Sequence, residues 1–153
     1  MLTFVETQFV DTGKVELIFL DLPLRMHPHA FKAAEAAACA GDQKKFWEMH
    51  DHLFANQGDL APERLPIHAA KLGLDVAAFE KCLSSGRSGA GIREDLRAAQ
   101  ILGITGTPAY LIGRRVAGGD KVEVLEVVKG LPPYEDLEEK LNGFLASGSP
   151  TKQ

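Results

Sequence analysis

The stretch Gly103-Ile104-Thr105-Gly106-Thr107-Pro108 decides the fold, because it joins a predicted helix to the apolar run Ala109-Tyr110-Leu111-Ile112. Proline has no N–H for a sheet ladder, so it belongs at the first residue or on the edge of a strand. An X-Pro bond is also the common place for a cis peptide, which usually marks a tight backbone geometry. The pattern predicts a tight loop at Thr107 and Pro108; the alternative is that the pair only begins a strand.

The composition excludes several classes of protein. The chain has 153 residues, of which 45% are hydrophobic and 25% are charged, which is typical of one globular domain over residues 1–153. A net charge of -4 offers no basic surface for nucleic acid. No apolar run approaches the roughly 20 residues that a membrane helix needs. The first residues lack a basic region and a cleavage site, which predicts no signal peptide, and cysteine usage leaves the compartment open.

Hydrophobic periodicity predicts a mixed order of helices and strands. A short helix over residues 2–11 precedes an apolar run at 14–20, which has the pattern of a buried strand. Several helices follow, with Asp42 and Asp75 as predicted N-caps. Two further strands, 109–112 and 121–129, are close enough to form a hairpin, and an amphipathic helix over 134–146 ends the pattern.

The two cysteines, Cys39 and Cys82, lie far apart and lack metal-ligand spacing. Their count permits one bridge or two buried thiols. Because Cys82 shares an apolar helix face with Phe79, we expect two inert thiols, and a structural disulfide between the helices is the alternative that their Cα separation decides.

The histidines predict no metal site. Their close pairs have i,i+2 spacing, which places them on different sides of a helix, so helix capping near Pro28 and surface positions account for them better. Gly86, Gly89 and Gly91 lack the lysine of a phosphate loop, and we expect no cofactor. The histidines concerned are His27, His29, His50, His52 and His68.

An ordered set of motifs resembles the DsbA-like branch of the thioredoxin superfamily. The match runs over nearly the whole chain, and the context of Thr107 and Pro108 is its most specific part. The motifs are Phe19-Leu20-Asp21-Leu22-Pro23-Leu24, His27-Pro28-His29-Ala30, residues 33–40, residues 45–51, Leu72-Gly73-Leu74-Asp75, Phe79 with Cys82-Leu83, residues 103–108, Gly113-Arg114-Arg115-Val116 and Tyr134-Glu135-Asp136-Leu137.

The resemblance implies an α/β, thioredoxin-like fold with a helical insert over residues 27–102. It also implies a first strand, central in the sheet, that leads into a Cys-x-x-Cys at the start of the first helix. Neither is found in this sequence, so we expect an N-terminally truncated chain whose unpaired strand edges favour self-association. The alternatives are a strand inserted by a partner on oligomerisation, and a collapsed sheet with a different strand order. Thr107 and Pro108 would bind substrate, and no catalytic residue is assigned.

The implied function is disulfide exchange on protein or peptide substrates, through a thiolate that this chain does not supply. The alternative is a redox-inactive module that binds peptides or a protein partner. A glutathione-linked isomerase of the kappa type shares the helical insert, and nothing in the sequence specifically favours it.

Overall fold

A computed structural model describes residues 2–119 and 121–147. These residues form two compact units, one made by the chain up to Phe19 together with the chain from Ile104, the other by Leu20–Gly103. We call them the sheet unit and the helical unit. The elements, in chain order, are α1 (Leu2–Val5, continued by a π-helix over Glu6–Val10), α2 (Ala30–Gly41), α3 (Phe46–Ala55), a 3-10 helix (Pro62–Arg64), α4 (Leu65–Lys71), α5 (Val76–Ser85), α6 (Gly89–Ile101), β1 (Ala109–Arg115), β2 (Val122–Lys129) and α7 (Tyr134–Ser147).

The helical unit is built around the alanine-rich helix α2. Alanine favours helix intrinsically, and its small side chain lets neighbouring helices approach closely. Ala36 and Ala40 are fully buried in a core that also encloses Met49 from α3, Leu65 from α4 and Phe79 from α5. Helix α5 begins at a side-chain N-cap, as its sequence predicts. The Asp75 side chain accepts a hydrogen bond from the Ala78 N–H (3.0 Å).

The sheet unit contains an antiparallel pair, β1 and β2, with a bulge between Ile112 and Gly113. A Cβ atom at Gly113 would lie 2.5 Å from Val122 Cγ1 and 2.8 Å from the Glu123 carbonyl oxygen, so only glycine fits there. Its core is a small cluster of Val5, Ile112 and Leu137, on which partly buried aromatic and apolar side chains pack: Tyr110, Tyr134, Leu141 and Phe144.

Two local predictions are wrong. Residues 14–20 form no strand, because a strand needs a hydrogen-bonded neighbour and β1 pairs only with β2 in the described part of the chain. Asp42 does not cap the next helix, which begins only at Phe46 after Lys45. The Asp42 carboxylate instead pairs with Arg87.

The predicted hairpin and final helix are confirmed. β1 and α7 extend beyond their predicted ends, to Arg115 and Ser147, whereas β2 begins one residue later than predicted, at Val122. The helical insert over residues 27–102 stays a prediction. The helical unit described above is somewhat longer, at Leu20–Gly103.

Candidate functional site at the Thr107-Pro108 loop

The loop that leads into β1 exposes Thr107 and Pro108. The peptide bond between them is cis. Ile104, three residues earlier, is buried and anchors the loop in the sheet unit. Both predicted binding residues therefore lie on the surface immediately before β1.

From the loop into β1, the backbone N–H and C=O groups point alternately toward β2 and away from it. The Pro108 carbonyl oxygen accepts a hydrogen bond from the Gly130 N–H (2.9 Å), which sets the alternation along the strand. In an antiparallel pair, neighbouring residues direct their N–H and C=O groups to opposite edges. Thr107, Ala109 and Leu111 therefore direct theirs away from β2.

This outer edge of β1 carries no strand in the described residues. The N–H and C=O of Thr107 likewise make no backbone hydrogen bond there. A strand edge with unpaired amide groups is a template for another extended chain. The geometry thus offers a place where a polypeptide could add as a strand.

An ion pair lies at the other end of β1. Arg115 donates two hydrogen bonds, both 2.7 Å, to the Glu16 carboxylate. The hydrogen bond from Arg115 holds the pKa of Glu16 below its ordinary value. Since both side chains are about half exposed, the pair contributes little to stability.

Cys39 and Cys82 are joined in a disulfide that links α2 to α5. The expectation of two free thiols was wrong, because their Cα atoms are 5.8 Å apart, which is within the range that a bridge spans. Both residues are buried, and the Cys82 Sγ lies 3.4 Å from an Asp42 carboxylate oxygen. With the chain's two cysteines paired, no thiolate is available for attack.

Two of the five histidines depart from the predicted surface positions, whereas His27 and His29 are exposed. His68 is fully buried and His50 is nearly so. His29 precedes α2, yet its side chain makes no capping hydrogen bond. The missed signal was helical spacing, since His68 follows Leu65 by three residues and precedes Leu72 by four, which places it on the apolar face.

Within residues 2–119 and 121–147, no cluster of three His, Cys, Asp or Glu side chains is placed to hold a metal ion. No helix in that part of the chain has the length and hydropathy to cross a membrane.

Comparison with known proteins identifies a family. The family model described as Thioredoxin matches residues 2–128 of the chain. This match confirms the predicted thioredoxin-like fold, with its mixture of helices and a sheet. No solved structure matches the chain.

The curated relatives carry a different name. A protein named Na(+)/H(+) antiporter NhaA 1 from Salinispora arenicola is 41% identical over 97% of this chain and 24% of its own length. Na(+)/H(+) antiporter NhaA 3 from Salinispora tropica is 40% identical over 79% of the chain and 19% of its length. Na(+)/H(+) antiporter NhaA from Herminiimonas arsenicoxydans is 39% identical over 60% and 15%. The chain thus spans a quarter or less of these relatives.

Proposed function

The chain belongs to the thioredoxin family, and we propose that it is the polypeptide-binding part of a DsbA-like disulfide-exchange site. The observation that carries this proposal is the exposed Thr107 backbone, unpaired within the described residues, at the head of the outer edge of β1. An extended segment of a substrate protein would dock there.

Binding would proceed by strand addition. The Thr107 N–H would donate to a substrate carbonyl, and the Thr107 carbonyl would accept from a substrate N–H. Ala109 and Leu111 would continue the ladder along the same edge. Since these bonds use only backbone groups, the site would accept many sequences, as a protein acting on varied substrates requires.

The exchange step itself needs a dithiol that these residues do not provide. In such a step a thiolate attacks a substrate disulfide, forms a mixed disulfide and releases a substrate thiolate. A second thiol then displaces the substrate, so the dithiol is oxidised and the substrate disulfide is reduced. Cys39 and Cys82 do not fit this role because they are buried in a bridge between two helices. The proposal therefore assigns the dithiol to polypeptide outside the 153 residues.

A second function, binding without redox chemistry, is favoured by the pairing of both cysteines. The relatives are named Na(+)/H(+) antiporter, and the matched region is a minor part of them. In this alternative, the outer edge of β1 binds a segment of a protein partner, for example the remainder of such a transporter.

Strand addition can be tested with N-methylated peptides. In an extended peptide, alternate amides face the edge to which it binds. Two peptides of identical sequence, methylated on the two alternate sets of amides, provide a matched pair. Backbone amide shifts of Thr107, Ala109 and Leu111 should respond to one peptide and not to the other. Equal responses to both, or shifts only elsewhere, would refute binding at this edge.

The redox role is tested separately, on the protein isolated from its natural source. Insulin reduction that is inhibited by the binding peptide, and unaffected by its methylated partner, would support the exchange site. Peptide binding without any insulin reduction would instead support the redox-inactive module. The two outcomes differ in one assay, so the binding proposal and the redox proposal can fail independently.

A further inference from the structure

A hydrogen-bonded histidine pair links α3 to α4 in the helical unit. His52 Nε2 lies 2.9 Å from His68 Nδ1, and the other ring nitrogen of His68, Nε2, lies 2.8 Å from the Asp59 carbonyl oxygen. His68 is fully buried, whereas His52 is half-buried. A continuous series of hydrogen bonds thus runs from His52 on α3, through His68 on α4, to Asp59 in the loop between the two helices.

The protonation states of the His52 and His68 rings are limited by the hydrogen bonds they make. A carbonyl oxygen only accepts, so His68 Nε2 carries a hydrogen and donates it to Asp59. A neutral His68 then has a bare Nδ1, which accepts the hydrogen bond from His52 Nε2–H. One added proton leaves this bond in place, because a protonated His68 Nδ1–H can donate to His52 Nε2 once the hydrogen of a neutral His52 is on Nδ1. Protonation of both rings would place two N–H groups against each other at 2.9 Å. The closed arrangement therefore requires at least one of the two rings to be neutral.

The charged groups around the pair come from three elements. The Asp59 carboxylate lies 3.6 Å from His68 Nε2 and is itself held by two hydrogen bonds from Arg64. Lys71, on α4, adds positive charge beside His52.

Helices α2 and α5 also pack on α4. On α2, Lys32 and Glu35 pair with each other, and on α5, Glu80 and Lys81 are exposed. The apolar core cluster of α2 and α5 adjoins α4 at Leu65 and Ala69.

We propose that His52 and His68 form a pH-sensitive latch: protonation of both rings releases the hydrogen bond between α3 and α4 and loosens residues 56–71. The segment is suited to this behaviour, since it contains a loop, a 3-10 helix and the short helix α4. Short elements of this kind depend on tertiary contacts for their order.

The direction of the effect agrees with the electrostatics of His52. Partial burial lowers the pKa of His52, and positive charge on His68 and Lys71 lowers it further. A histidine with a lowered pKa in the folded state contributes stability that is fully present above its unfolded pKa and falls as the pH drops below that value. The closed latch keeps one of the two histidines neutral, whereas in the open segment both can be protonated. For an unfolded pKa of about 6.5, the ratio of closed to open segment should therefore fall by up to about eightfold as the pH drops from about 7 to about 5.5.

Amide hydrogen exchange on the whole chain tests the latch. After correction for intrinsic exchange rates, protection in residues 56–71 should fall by up to about eightfold between about pH 7 and about pH 5.5. His68→Gln should remove most of this fall, because the glutamine amide can donate to Asp59 and accept from His52 without titrating. The matched control, His27→Gln, changes an exposed histidine and should respond as the wild type does.

The outcomes are decisive in both directions. A wild-type segment whose protection does not fall, or a His68→Gln protein that responds like the wild type, would overturn the proposal. If His68→Gln does not fold, ring ¹⁵N shifts of the wild type replace it. Loss of the His52–His68 hydrogen bond signal must then coincide with the fall in protection, and a fall without that loss overturns the latch.

Discussion

Reducing the Cys39–Cys82 disulfide should lower the free energy of unfolding of the helical unit by about 4 kcal/mol. The bridge joins residues 43 apart in sequence, and closing a loop of that length removes about 13 cal/mol/K from the entropy of the unfolded chain. At room temperature this corresponds to the stated free energy. Because both cysteines are buried, reduction also leaves two thiols inside the core without exposing new surface.

Urea unfolding followed by far-UV circular dichroism measures the effect. For a denaturant dependence of about 2 kcal/mol/M, the midpoint should fall by about 2 M when a reductant is present. The double variant Cys39→Ala/Cys82→Ala is the matched control, since it should already be destabilised and should not respond to the reductant. A wild-type shift below about 0.5 M would refute the argument that the bridge acts by restricting the unfolded chain.

Three further predictions concern a bulge, a cap and a partly buried carboxylate. Gly113→Ala should lower the free energy of unfolding by about 1–3 kcal/mol in thermal or urea unfolding, because the added Cβ would meet Val122. The control Gly143→Ala on α7, where a Cβ meets nothing within 4 Å, should raise it by up to about 1 kcal/mol. Equal effects of the two variants would contradict the close packing at the bulge. Asp75→Ala should cost about 1 kcal/mol, and Asp75→Ser should restore most of it if the lost cap is the cause. Partial burial, followed by the neighbouring Asp95 carboxylate, raises the pKa of Asp21 to about 6. The contribution of Asp21 to stability therefore falls as the pH rises from about 4 to about 6. Asp21→Asn should raise the melting temperature at pH 7 and not below pH 4, and an equal change at both pH values would refute this cause.

The elements that local rules specify were predictable from sequence. The alanine run of α2, the Asp75 cap and the hairpin each depend on residues close in the chain, and all three are present. The run at residues 14–20 has equal apolar character, yet it is not a strand, because strand formation depends on a partner that periodicity cannot identify.

The features that depend on contacts between residues far apart in the chain were harder to predict from the sequence. The exposed position of Thr107 and Pro108 follows from their place before β1, which the Thr-Pro pattern marks. Whether Cys39 and Cys82 pair depends on the distance between α2 and α5, which sequence spacing does not give. The burial of His68 was predictable in principle, but its partners His52 and Asp59 come from other elements.

The division into two units also separates the chromophores of the chain. Its single tryptophan, Trp47, lies on α3 in the helical unit, and its two tyrosines, Tyr110 and Tyr134, both lie in the sheet unit. Tryptophan emission therefore reports on one unit and tyrosine absorbance on the other, without any introduced label. One denaturation series read at both signals measures whether the units unfold cooperatively, since coincident midpoints are expected only for a single transition.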